Sequence, residues 1–284
     1  MAKFNATLLA ITVAAAMATP AFATDFSDGN IHKNDYKWMQ FNVMHTIDQL
    51  PFTTAQDDYN DTYLEMEFGG RSGLFDLYGY VDVFDIFNTS DSDKHGTGAG
   101  KNLFMKFAPR MSLDALTGKD LSFGPVQELY IANLNNISDN MMENMVGLGA
   151  DVMVPWFGKM GMNLMARHST ENDFFVEEKG DWNGYWLAIN WFKPFVNFSN
   201  GSFIAYQGYL DYAFDLDKHE RSDRTSNYSA QFHGIYWHSD RYAVGYGLKY
   251  FTDAYGTKDD SIAWDGSPWK TTGFSHYFDV TYKF

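Results

Sequence analysis

The chain contains no cysteine, so neither a disulfide framework nor a thiolate metal site is available to it. Long apolar runs are missing too. Beyond the first two dozen residues nothing approaches the roughly 20 apolar residues that a membrane-crossing helix requires, and the mean hydropathy is only −0.35. Any membrane passage must then be made by strands, in which alternate residues alone meet lipid. Positive charge is scarce: 21 Lys and Arg stand against 36 Asp and Glu, a formal net charge of −15. That balance argues against a nucleic-acid partner, which needs a basic face. The eight histidines are scattered without H-x-x-x-H or paired spacing, so neither a metal site nor a cofactor is expected. His238, Ser239 and Asp240 adjoin in one tight turn and do not converge as a catalytic triad does.

Aromatic residues, at 18% of the 284, are what the chain has in excess. The length suits one large domain or one barrel. In Asp61–Phe84, Leu64, Met66 and Phe68 alternate with Tyr63, Glu65 and Glu67, and Phe75, Leu77, Val81 and Val83 alternate with Asp76, Tyr78, Tyr80 and Asp82. Successive strand side chains point to opposite faces, so the segment is a hairpin with one apolar face and one face of carboxylates and phenols. Gly69-Gly70-Arg71-Ser72-Gly73 serves as its turn. A soluble sheet would turn the acids to water, whereas a membrane barrel would turn them to its lumen. The two ends of the chain favour the barrel. Residues 1–23 have the form of a secretory signal: Lys3, a short apolar core over Leu8–Ala18, and Ala21-Phe22-Ala23 as the cleavage pattern, which leaves 24–284 as the mature chain. The last nine residues alternate Phe278, Val280, Tyr282 and Phe284 with Tyr277, Asp279, Thr281 and Lys283. Such a strand, ending in phenylalanine, is similar to the closing strand of Gram-negative outer-membrane barrels.

Twelve strands are expected between these ends, near 36–46, 61–69, 74–85, 102–113, 121–133, 145–154, 161–168, 182–192, 202–214, 226–237, 240–251 and 273–284. Their connections alternate long (Ile47–Asn60, Ile86–Lys101, Leu134–Asn144, Ser169–Asp181, Asp215–Thr225, Thr252–Thr272) and short (Gly70–Gly73, Asp114–Asp120, Pro155–Met160, Lys193–Gly201, His238-Ser239). Bacterial single-chain barrels have even strand numbers, long extracellular loops and short periplasmic turns. The fold expected is an all-β, twelve-stranded antiparallel transmembrane barrel in the outer membrane of a Gram-negative cell, both termini periplasmic. Pro109 and Pro125 lack an N–H and should interrupt or bulge their strands. Trp156, Trp191, Phe195 and Trp237 fall near short turns, as an aromatic girdle would. Met141, Met142 and Met145 are assigned to loop packing.

Function should sit on the polar strand faces. Glu65, Glu67, Asp76, Tyr78, Tyr80, Lys106, Arg110, Glu128 and Tyr130 lie on neighbouring strands and are placed together on one lumenal wall. They either pair with each other, since interior charges are costly unless paired or hydrated, or make a polar path for a small solute. Two other classes stay open: a barrel enzyme such as an outer-membrane phospholipase or protease, for which no Ser–His or Asp–His motif is readable, and a hydrophobic-solute transporter, which would favour an apolar interior. A soluble periplasmic binding domain is a more distant alternative.

Extended stretches carry a family resemblance: DYKWMQFN at Asp35–Asn42, DTYLEMEF at Asp61–Phe68, FDLYGYVDV at Phe75–Val83, the run Leu103–Tyr130, and YWHSDRYAVGYGLKY at Tyr236–Tyr250. The chain resembles the Tsx/OmpK family of nucleoside-specific channel-forming outer-membrane proteins, and its OmpK branch in particular. The resemblance implies a narrow channel, not an enzyme, for nucleosides and deoxynucleosides by passive diffusion. It implies exposed loops that can dock bacteriophages or colicins, surroundings of lipid and lipopolysaccharide, and passage through the barrel-assembly machinery. Lys106 stands in a stretch that is acidic in the nucleoside-channel branch.

Overall fold

Residues 26–56, 59–89, 102–138, 141–172, 180–263 and 265–284 are described by a computed structural model; the expected signal segment 1–23 lies outside them. Twelve strands follow one another: β1 (Tyr36–Ile47), β2 (Asp61–Ser72), β3 (Phe75–Val83), β4 in two pieces (Leu103–Phe107 and Arg110–Ser112), β5 (Val126–Ser138), β6 (Met141–Val154), β7 (Gly158–Asn172), β8 (Asp181–Asn197), β9 (Phe203–Phe214), β10 (Tyr228–His238), β11 (Tyr242–Thr252) and β12 (Gly273–Lys283). Each pairs antiparallel with its neighbours in sequence, and β1 pairs with β12 from Gln40↔Lys283 to Ile47↔His276, which closes the barrel. Closure leaves no unpaired sheet edge, the condition for crossing hydrocarbon with strands.

Alternation decides the faces. On β12, Ser275, Tyr277, Asp279 and Thr281 are buried, while Phe274, Phe278 and Val280 are exposed. Val43, Val83, Leu103, Ile131, Leu148, Leu164, Ile235 and Val244 share the outer surface with them. Polar side chains of the outer face find partners on the adjacent strand: His45 meets the Thr62 hydroxyl at 2.9 Å, His233 the Tyr206 hydroxyl at 2.6 Å and His276 the Tyr246 hydroxyl at 2.7 Å. Trp156, Phe195 and Trp237 are exposed near the short-turn rim, and Trp191 packs beside Tyr206 and His233.

The break in β4 falls at Pro109, as the missing N–H requires. Asparagines repair the ladder around it. The Asn133 N–H reaches the Pro109 carbonyl at 3.0 Å, and Asn135 Nδ2 donates to the Phe107 carbonyl at 3.1 Å. Pro125 sits just before β5, whose register with β6 shifts between Val126 and Glu128.

Two connections depart most from expectation. β5 runs on to Ser138 and β6 begins at Met141, so Leu134–Asn144 is a hairpin and not a long loop. Its asparagines read as loop, yet a lumen accepts polar side chains where a soluble core would not: Asn136 is buried and donates to Glu143. Met141 and Met145 are therefore buried strand residues, and Met142 faces outward. The start of β5 lies five residues later than expected because α1 (Leu113–Thr117) follows β4. Ser112 caps that helix by accepting the Ala115 N–H, and Gly118 ends it in the left-handed conformation. Asp114 is fully buried and accepts the Leu121 and Leu129 N–H groups, tying the connection to β5.

Part of the lumen is filled. Leu134, Met145, Met165, Trp186, Ala213 and Tyr228 form one apolar cluster, joined by Leu216 from the connection after β9. Within the wall beside it, Arg167 is fully buried and donates to Glu143 at 2.6 and 3.0 Å and to the Asn183 carbonyl at 3.2 Å. At the long-connection end, Phe52–Thr53 pairs with Trp269–Lys270 and joins two loops. At the other end, residues 26–35 fold back on the barrel. Phe26 is buried with its ring 5.2 Å from the Arg71 guanidinium, and Asp35 Oδ1 accepts the Gly73 N–H at 2.8 Å.

Candidate functional site: the barrel lumen

A cavity of about 660 Å³ occupies the lumen, within the size range of small-molecule sites. Seven of the nine expected residues line it: Glu65, Glu67, Asp76, Tyr78, Tyr80, Lys106 and Arg110. Their strands bring them there by parity, since residues two apart share a face.

β1, β2 and β3 carry one wall. Trp38, Tyr78 and Tyr80 form a run of rings with centroids 6.3 and 6.2 Å apart, continued by Phe104 at 5.8 Å. Trp38 lies against Gly69, where a Cβ would come within 2.7 Å of its ring. Beside the rings runs a strip of carboxylates and amides. Gln40 Nε2 donates to Glu67 at 2.6 Å, Asn42 Nδ2 donates to Glu65 at 2.5 Å, and the Tyr78 hydroxyl donates to Glu67 at 2.9 Å.

A second wall carries cations. Lys106 Nζ is paired with Asp211 at 2.6 Å, and Trp186 Nε1 donates to the other oxygen of that carboxylate at 3.2 Å. Tyr209 lies between two ammonium groups, Lys106 at 5.5 Å and Lys249 at 5.8 Å from its ring centre. Nearer the short turns, Arg110 is held by Asp76 and by Asp151 (2.9 Å), and Lys159 also reaches Asp151 at 3.0 Å. The Arg110 guanidinium stacks 4.0 Å from the Tyr130 ring, so its charge is matched and one of its faces is covered.

Glu128 and Tyr130 are separated from the other seven. Neither lines the cavity. Glu128 is buried against Arg71 and Ser112, whose hydroxyl donates at 2.5 Å. Tyr130 lies under Arg110, with its hydroxyl 3.3 Å from Asp151. The reason is depth: the delayed start of β5 puts both residues at its short-turn end. Arg71, assigned to the turn, is a buried residue of β2, and the turn itself is Gly73-Leu74.

The expected wall omitted Trp38, Asp82, Asp151, Tyr209, Asp211 and Lys249, all of which line the cavity. The alternation that picked out Glu65 also marks Asp151 between Ala150 and Val152, and Lys249 between Leu248 and Tyr250. Which cation would face which carboxylate across the lumen was not readable, because partners such as Lys106 and Asp211 lie 105 residues apart.

The sequence pattern of the family described as "Nucleoside-specific channel-forming protein, Tsx" matches residues 33–284. Outer membrane protein OmpK of Vibrio parahaemolyticus is 55% identical over 287 residues, covering 98% of each chain. The nucleoside-specific channel-forming protein Tsx of Salmonella typhimurium is 28% identical over 288 residues, covering 98% of this chain and 99% of its own. Among solved structures, the KdgM porin aligns with a TM-score of 0.43 at 10% identity, over 86% of this chain and 99% of its own. A closed twelve-stranded barrel with a polar lumen, matched over nearly its whole length by these sequences, belongs to the Tsx/OmpK family of channel-forming proteins of the Gram-negative outer membrane.

Proposed function

We propose that the protein passes nucleosides and deoxynucleosides by passive diffusion, holding them weakly on the wall formed by β1, β2 and β3. The observation that carries this is Tyr78, a ring still open to the lumen beside Trp38 and Tyr80, with its hydroxyl on Glu67. A nucleoside pairs a flat base with a hydroxyl-rich sugar and bears no charge. Rings in file offer the base stacking surfaces, and Glu65, Glu67 and Gln40 offer acceptors to the ribose hydroxyls. Release requires that each contact stay weak. Arg110, Glu128 and Tyr130 support the wall rather than touch the solute. Exposed loops as docking sites for phage or colicin, and a cleaved signal at 1–23, belong to the same proposal.

The test is permeation into liposomes. Nucleosides should enter faster than sugars of similar size, and nucleoside monophosphates more slowly than both, because the wall repels phosphate. Tyr78→Leu and Glu65→Gln should reduce the preference while the barrel stays folded. Equal entry of nucleosides and size-matched sugars would leave a general small-solute pore.

A further inference from the structure

The geometry points to a station in the lumen for a small cation, potassium or a primary ammonium, on the carboxylate strip formed by Glu65, Glu67, Asp82 and Asp279. The other carboxylates that line the cavity have basic partners: Asp211 has Lys106, Asp76 has Arg110, and Asp151 has Arg110 and Lys159. Glu128 and Glu143, buried in the wall, have Arg71 and Arg167. The four of the strip make no ion pair with an ammonium or guanidinium among the described residues. Strand register sets them side by side. Glu65 lies directly opposite Asp82 on β3, where like charges repel. Asn42 lies opposite Glu65 on one side and opposite Thr281 on the other, and Thr281 donates to Asp279 at 3.0 Å.

A second observation says what the strip takes. Asn42, Asp82 and Asp279 are 3%, 6% and 5% exposed, and each has an Oδ1 atom without a hydrogen-bond donor. Asn42 spends its amide nitrogen on Glu65 and Glu67, at 2.5 and 3.3 Å, which leaves its oxygen without a donor. Buried acceptors without donors, in a field of carboxylates, match a ligand that brings positive charge or N–H groups and no acceptor of its own. Sharing one proton between Glu65 and Asp82 would relieve that pair. Lys249 does not serve as the counterion by contact; its Nζ sits over the rings of Phe251, Tyr277 and Tyr209 at 4.8, 5.6 and 5.8 Å. Among the described residues no three His, Cys, Asp or Glu side chains converge as metal ligands, so the strip is a weak station and not a coordinated metal site.

This station does not depend on which neutral solute crosses. The experiment is the reversal potential of the purified protein in planar bilayers under a potassium chloride gradient, with 1,4-diaminobutane titrated by calorimetry against the detergent-solubilised barrel. Potassium should pass about threefold or more better than chloride. Glu65→Gln/Asp82→Asn should remove most of that preference and weaken diamine binding about tenfold, and Asp279→Asn should do so in part. Lys249→Gln should raise the preference. A wild-type reversal potential at zero or on the chloride side overturns the station, as does diamine binding that is absent or equal in wild type and variants. Calorimetry decides the matter even for a barrel that does not conduct. Nucleoside permeation with no cation preference would overturn the station and leave the nucleoside proposal standing.

Discussion

Arg71 and Glu128 meet in a two-point ion pair, Nη1 to Oε2 at 2.8 Å and Nη2 to Oε1 at 2.6 Å, with both side chains less than a tenth exposed. The pair ties β2 to β5 across β3 and β4 at the short-turn end, under the ring of Phe26. Removing one partner leaves the other charge buried. Arg71→Ala should therefore cost about 3–5 kcal/mol, whereas Arg71→Met with Glu128→Leu should cost far less. Urea titration of the heat-modifiable form measures both, and equal losses would assign the pair no electrostatic role.

The lumen wall beside Asp279 depends on two glycines. A Cβ at Gly245 would lie 2.2 Å from the Tyr236 ring, and one at Gly247 would lie 2.1 Å from the Phe232 ring. Gly247→Ala must push Phe232 aside, at a cost of about 1–3 kcal/mol. Its effect should show as a changed single-channel conductance in a barrel of normal electrophoretic mobility. Wild-type conductance and stability would mean that the ring moves freely.

Asp35 latches residues 26–35 to the first turn. Its carboxyl is held below the ordinary range chiefly by the Gly73 N–H, with His32 adding to the effect. A lowered folded-state value means that the latch contributes fully above the unfolded value of about 3.9 and is lost as pH falls through the folded value. Exchange protection of the Gly73 amide should be flat from about pH 5 to 8 and fall below about pH 4. Asp35→Asn should lose protection at neutral pH. Protection that persists in this variant would show that Phe26 alone holds the segment.

Orientation follows from the connections. Epitope tags within 86–101 or 253–272 should be labelled on intact cells, and tags at 73–74 or 239–241 should not. Reversed labelling would turn the barrel over and place both termini outside.

Phe284 donates its N–H to the Met39 carbonyl at 3.1 Å and rests edge-on against Phe41 and Tyr282, yet it is two-thirds exposed. Its contacts inside the barrel are few, so its contribution to the finished wall is small. Deleting it should impair insertion, with protein accumulating in the periplasm, more than it lowers the stability of barrel that does form. Normal yields of heat-modifiable barrel would deny it an assembly role.

The sequence by itself determined the strand count, the closing strand and the two faces, because a period of two is local and survives without knowledge of any partner. It also marked Pro109 as a break, since a missing N–H has the same consequence in any sheet. It misplaced β5 and the β5–β6 hairpin: Asn135 and Asn136 look like loop until the Phe107 carbonyl beside the Pro109 break and the Glu143 carboxylate are seen to need them. Only the tertiary structure decided which charges cancel. Arg71 with Glu128, and Lys106 with Asp211, are 57 and 105 residues apart, and curvature of the closed wall brings them together. Closure likewise left Glu65, Glu67, Asp82 and Asp279 side by side with no basic partner among the described residues, because β12 returns to β1 only when the barrel is complete.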